Sequence, residues 1–261
     1  MFQTSVLASG SKGNSLVVRT ADSAIILDAG ISVKRIVAAL ERLSIPLEQI
    51  RGVILSHDHS DHSSGVGALS RKLKIPVFIT EITYDYVNHR LGNLYDRLRI
   101  FNTGESFELG DIVIEPFRSN HDAVDSANFN FYQLNNSNAK LSVATDLGYP
   151  TMLSVARMEG STSLVLESNH DEQMLIDGPY EWHLKQRVKS NLGHLSNKQA
   201  VGLITRIHHP GLKNLVLAHL SETNNRPELA RSTMQGYLES IRSDVRLLVA
   251  DPYQETPLID I

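Results

Sequence analysis

Val53-Ile54-Leu55 runs straight into Ser56-His57-Asp58-His59-Ser60-Asp61-His62. An apolar strand end holds the loop that follows it and aims His57 and His59 toward one point. A helix starting at Asp61 or Ser63 then redirects Asp61 and His62 toward a neighbouring point. His57, His59, Asp61 and His62 place four nitrogen and oxygen donors within six residues. Two adjacent donor groups are what a pair of divalent ions requires. Neutral imidazole with carboxylate favours Zn²⁺, with Mn²⁺ or Fe²⁺ as alternatives. A lone His-x-His is common on surface turns, whereas the complete His-x-His-x-Asp-His after an apolar strand is much rarer.

The chain around this motif has 261 residues, 41% hydrophobic and 21% charged, an ordinary globular composition with room for one large core. We expect a single domain over 1–261. There are no cysteines, which excludes disulfides, thiolate metal sites and cysteine nucleophiles. Histidine, by contrast, occurs eleven times and often beside acids. The N-terminus has no basic region before a long apolar run, and no stretch is apolar enough to span a bilayer. A soluble, cytoplasmic protein without membrane contact is the expectation. The net charge of −4 rules out a chain that is cationic overall, so any affinity for phosphate must be local.

Outward from the motif, apolar alternation and turn residues predict strands at 2–8, 15–19, 24–28, 52–56 and 76–80. Further strands are expected at 163–167, 215–218 and 245–249, with hairpins over 106–117 and over 128–145. The second hairpin turns across Asn135-Asn136-Ser137-Asn138. Helical spacing covers 33–43, 81–90, 150–157, 181–188, 197–207 with Ser196 as N-cap, and 227–241 with Pro227 in its first turn. A helix through about Leu73 follows the histidine motif. The order is strand-rich, then mixed, repeated roughly twice, which suits two sheets with helices outside.

The motif resembles the signature of the metallo-β-lactamase superfamily. That resemblance implies an αββα sandwich of two mixed sheets with helices on both outer faces. It also implies three further ligands at strand ends. Asn120-His121-Asp122, Val143-Ala144-Thr145-Asp146 and Leu217-Ala218-His219 supply them in order. By resemblance, His57, His59 and His121 hold one metal, Asp61, His62 and His219 the other, and Asp146 lies between. Two dications, two carboxylates and one bridging hydroxide would leave a formal charge of about +1, which favours an anionic substrate.

Gly193-His194-Leu195-Ser196 resembles the His-x-Ser/Thr motif of phosphodiesterase branches such as RNase Z, where the histidine contacts the scissile phosphate. His194 is therefore expected as a phosphate ligand or general acid, the alternative being a histidine packed at a helix start. With Ser9-Gly10-Ser11-Lys12-Gly13-Asn14-Ser15, Glu167-Ser168-Asn169-His170-Asp171 and His219-Leu220-Ser221-Glu222-Thr223-Asn224-Asn225, the chain is similar to the YycJ/WalJ group of single-domain DNA exonucleases.

The expectation is a dinuclear phosphodiesterase, foremost a DNA exonuclease with a metal-bridging hydroxide as nucleophile and Asp61, Asp146 and His194 at the chemistry. A cyclic-phosphate or nucleotide phosphodiesterase is the alternative, and beyond phosphate chemistry a lactonase or thioesterase. Asp28 either orients the histidine loop or caps the turn before Gly30. Asn169 and His170 either line the mouth or, for His170, satisfy a loop. Gly10–Ser15 is a glycine-rich hairpin or a backbone anion site. Lys185, Arg187 and Lys189, with Arg90, Arg97 and Arg99, are candidates for a basic patch, and Tyr84, Tyr86, Tyr95 and Tyr149 for base stacking.

Overall fold

The computed structural model describes residues 1–261 except Ser137, which belongs to the turn expected at 135–138 and lies outside the described residues. Its strands are β1 (Phe2–Ala8), β2 (Ser15–Thr20), β3 (Ala24–Leu27), β4 (Ile50–Ile54), β5 (Val77–Ile79), β6 (Leu98–Ile100), β7 (Phe107–Leu109), β8 (Ile112–Arg118), β9 (Ala127–Gln133), β10 (Asn136–Ala144), β11 (Ser163–Glu167), β12 (Asn214–Ala218), β13 (Arg246–Val249) and β14 (Ile259–Asp260). Its helices are α1 (Val33–Arg42), α2 (Ser60–Ser63), α3 (Val66–Leu73), α4 (Glu81–Leu91), α5 (Met152–Met158), α6 (Glu172–Asp177), α7 (Trp182–Lys189), α8 (Asn197–Ile207) and α9 (Pro227–Ser240).

Two seven-stranded sheets result, ordered β14-β1-β2-β3-β4-β5-β6 and β13-β12-β11-β10-β9-β8-β7. In the first sheet β14 to β3 pair antiparallel and β3 to β6 parallel; in the second β7 to β10 pair antiparallel and β10 to β13 parallel. The two-residue period of a strand decides which face each side chain serves. Ile25 and Leu27 point between the sheets, where they meet Phe129, Phe131, Val165 and Val216. Their neighbour Ile26 points outward, with Val53, to Ile36, Leu40, Leu69 and Val87 of the helices on that side. Across the sandwich, Leu164, Leu166, Leu215 and Leu217 pack against Leu203, Ile204, Met234 and Leu238. Three apolar layers thus separate four structural ones, in the αββα order expected.

Three departures have clear causes. The helix after the histidine motif breaks at Ser64-Gly65, because Gly65 is pressed on the β3–α1 turn. A Cβ there would lie 2.6 Å from the carbonyl oxygens of Ala29 and Ile31. The second hairpin turns earlier than expected, at Leu134-Asn135, where Asn135 takes a positive φ of 63° and β10 already pairs from Asn136. Finally, β6, α6 and β14 were not anticipated. β6 is three residues long with Arg99 and Ile100 exposed, so it carries no alternation to read. α6 is a short helix capped by Asp171, whose carboxylate accepts from the Gln173 and Met174 amides. Among the described residues no helix is long and apolar enough to cross a membrane.

Candidate metal centre

The C-terminal ends of β3, β4, β8, β10, β11 and β12 open on one edge of the sandwich, and each delivers a polar side chain there. In open sheets this edge is where ligands gather. Asp28 follows β3, the histidine motif follows β4, His121 follows β8, Asp146 follows β10, Glu167 ends β11 and His219 follows β12. Asp28, Asp146 and His219 are non-glycine residues with left-handed backbone, at φ 59°, 54° and 55°. Such conformations cost about 1–2 kcal/mol each and persist where neighbours over-determine them. The Asp28 carboxylate accepts from the Ser56 amide (2.8 Å) and hydroxyl (2.7 Å) and meets His62 Nδ1 at 2.7 Å. Asp146 is tied by Ser119 Oγ donating to its carbonyl, at 2.7 Å. His219 is held at both ends, its amide donating to Ser9 Oγ (2.7 Å) and its carbonyl accepting from Asn169 Nδ2 (2.8 Å).

These constraints converge on one cluster. His57, His59 and His121 bring one ring nitrogen each to within 4.8 Å of one another, as do the donors of Asp61, His62 and His219, and of His57, His62 and Asp146. Asp146 lies among them, with Oδ2 at 3.2 Å from His62 Nε2 and Oδ1 at 3.4 Å from His219 Nε2 and 3.6 Å from His121 Nε2. All seven expected ligands therefore meet at one place. The cluster fits divalent cations on its own chemistry. His57 Nε2 is buried without a hydrogen-bond partner, a costly state for a ring nitrogen. Burial, reinforced by His62, holds the His57 ring well below its ordinary pKa, so its lone pair is available at neutral pH. Burial lowers His121 in the same way. His219 is the opposite case: burial opposes its charge, but Asp146 and Asp61 outweigh burial and lift it to about 9. Donor-rich rings with two carboxylates make a set suited to borderline cations such as Zn²⁺.

The supporting contacts include residues the motifs did not single out. Asn14 sits under the cluster, its amide nitrogen donating to Asp61 Oδ2 (3.2 Å) and its backbone amide to the Asp61 carbonyl (2.7 Å). Gly30 permits this approach, since a Cβ there would lie 1.6 Å from that same carbonyl oxygen. The Gly10–Ser15 segment is thus a buttress behind Asp61. Glu167, fully buried, accepts from the Leu147 amide (2.8 Å) and the Leu195 amide (3.1 Å) and meets His194 Nδ1 at 2.9 Å. Burial works against charge on His194, but Glu167 outweighs it and the ring's pKa is raised. Glu167 had a readable signal: like Asp28 and Asp146, it is an acid ending an apolar strand.

A cleft of about 310 Å³ opens over the cluster. His59, Asp61, Asp146, His194 and His219 form its floor, with Asn169, Tyr180, Leu184 and Arg187 around it. His194 packs between His121 and His219, its ring centroid 5.0 Å and 5.1 Å from theirs. Arg187 reaches the rim and pairs with Asp122, which in turn lies 3.4 Å from His121 Nε2. Other expected lining residues stand elsewhere. His170 is in the wall of a neighbouring pocket. Arg90 donates to the Asp58 carbonyl behind the histidine loop (2.8 Å), and Arg97 and Arg99 lie at and beside edge strand β6. None of Tyr84, Tyr86, Tyr95 and Tyr149 lines the cleft, whereas Tyr180 does.

Residues 23–220 match the model of the β-lactamase superfamily domain. The chain belongs to this superfamily. Within it, the chain is 39% identical to the exodeoxyribonuclease YycJ of Bacillus anthracis, over 90% of this chain and 88% of that one. It is 35% identical to the exodeoxyribonuclease WalJ of Streptococcus pneumoniae, over 100% and 98% of the two chains. Among solved structures, the metallo-β-lactamase fold protein YhfI of Bacillus subtilis superposes with a TM-score of 0.73 over 98% of both chains at 14% identity. At that identity the likeness concerns the superfamily fold alone.

Proposed function

We propose that this protein is a metal-dependent exonuclease that hydrolyses phosphodiester bonds in DNA. The observation that carries the reading is His194, held by a buried carboxylate and facing the cleft beside the seven-residue donor cluster. The similarity to named exodeoxyribonucleases over nearly the whole chain supports DNA as the substrate.

His57, His59 and His121 would hold one divalent ion and Asp61, His62 and His219 a second, with Asp146 between them. Zn²⁺ suits the donors best, with Mn²⁺ or Fe²⁺ as alternatives. Such a pair, when bound, supplies a water-derived nucleophile at neutral pH and positive charge opposite the phosphate. The chain's own groups do the rest. Glu167 occupies His194 Nδ1 and so leaves Nε2 as the nitrogen for substrate. The charged ring binds the phosphate and passes its proton to the departing oxygen as the P–O bond breaks. Arg187 at the rim, paired with Asp122 through Nε, offers its remaining guanidinium N–H groups to the strand. Asp28 and Asn14 keep His62 and Asp61 in place.

End-labelled duplex DNA tests the proposal. Stepwise loss of label with wild-type protein, abolished in His59→Ala and Asp146→Ala, is expected. Turnover of bis(p-nitrophenyl) phosphate without attack on DNA would favour a small-phosphodiester enzyme. Hydrolysis of lactones without any phosphodiester turnover would overturn the proposal.

A further inference from the structure

Helix α7 stands between two cavities. At one helical spacing, Leu184, Arg187 and Val188 face the metal cleft. At the complementary spacing, Trp182, Lys185 and Lys189 face a second pocket of about 200 Å³. None of the helix's residues is fully buried, so it stands as a rib rather than as a core element. The second pocket is walled by Leu175 and Ile176 of α6 and by His170. His170 is 1% exposed, and its Nδ1 has no hydrogen-bond partner. Trp182 is the only tryptophan in the chain and is 69% exposed. An indole left open beside an apolar hollow is a stacking platform without a partner.

The charges around the pocket favour an anion. Lys185 and Lys189 border it, and Lys185 bridges back to the Ile176 carbonyl at 2.5 Å. The one acid in its wall, Glu172, faces Lys198 at 3.4 Å and accepts from Ser196 Oγ at 3.2 Å. An apolar slot with an indole, a buried ring nitrogen and two cations matches one nucleotide: a base to stack and a phosphate to neutralise.

We infer that this pocket is a second nucleotide subsite, holding a base of the strand whose terminal phosphodiester lies in the metal cleft. The inference rests on the nuclease reading above. The strand crosses α7, a rib about 10 Å thick. Arg187 meets the strand on the cleft side, and Lys185 and Lys189 meet it beyond. The base stacks on Trp182 in the second pocket. This gives a longer strand more binding than a short one without touching the reacting groups.

Because Trp182 is the sole tryptophan, its emission reports this pocket alone. Wild-type protein is titrated with a hydrolysis-resistant phosphorothioate single strand carrying an end label, following label anisotropy and tryptophan emission together. Quenching that saturates in step with anisotropy is expected. In Trp182→Ala, KM for oligonucleotides should rise roughly 10-fold while turnover of bis(p-nitrophenyl) phosphate is unchanged. Anisotropy showing binding without any change in emission, with KM unaltered in Trp182→Ala, would overturn the subsite and leave the nuclease reading standing. No binding and no DNA hydrolysis by the wild type would remove both. Quenching by an added protein but not by the strand would make the pocket a protein-docking surface and overturn the inference.

Discussion

Fully buried Glu167 and half-buried His194 form a carboxylate–imidazole pair, with Oε1 and Nδ1 2.9 Å apart, at the edge of the cluster that His57, His59, Asp61, His62, His121 and His219 form with Asp146. The pair sets both the tautomer and the charge of the ring that faces the cleft. Its carboxylate is also pinned by the Leu147 and Leu195 amides, so it cannot swing away to seek a cation of its own.

Replacing Glu167 with Gln should therefore shift the pH profile. Glu167 raises the His194 pKa against the opposing effect of burial. If the charged ring donates the proton, activity falls as pH rises through that pKa, and losing the carboxylate moves this alkaline limb to lower pH. At pH 8 kcat should drop at least roughly 10-fold, with metal content unchanged. A pH–rate profile of Glu167→Gln that overlays the wild type would exclude the positioning role.

Asp28 bears on the metal instead. It fixes His62 through Nδ1 at 2.7 Å, which turns Nε2 toward Asp61 and Asp146. Asp28→Asn keeps the shape but weakens that grip, and the affinity for divalent ions should fall about 10- to 100-fold. Competition with a chelating indicator measures this directly. Unchanged affinity would reduce Asp28 to a turn residue.

His170 gives a prediction about stability. Burial holds it neutral and pushes its pKa down to about 4, from an ordinary 6.5. The unfolded chain takes up a proton between these values and the folded chain does not, so stability declines as pH falls from 6.5 toward 4. The decline attributable to this residue is about 3 kcal/mol at most. His170→Gln, which has no such proton to take up, should flatten that part of the urea-denaturation profile. A profile with the same acid slope as the wild type would contradict it.

How much of this was legible beforehand follows from where the information lies. Four donors were readable from the histidine motif that follows β4, and the resemblance to the superfamily signature implied the other three, His121, Asp146 and His219, each shortly after a strand. Asp28 and Glu167 share that pattern, yet their roles depend on His62 and His194, at sequence separations of 34 and 27, which no local pattern encodes. Asn14 was hidden among turn residues because its work consists of reaching Asp61, 47 residues away. Arg90 and Arg187 look alike as charges. Only the packing turns one behind the histidine loop and the other onto the rim. The short elements β6, α6 and β14 take their order from neighbours rather than from a period of their own.

The proposed function depends on a paired-cation site built from His57, His59, Asp61, His62, His121, Asp146 and His219. Metal analysis of metal-replete wild-type protein tests it most directly. The proposed function requires about two divalent ions per chain, falling to about one or fewer in Asp146→Ala. Fewer than one ion per chain in the wild type would contradict it.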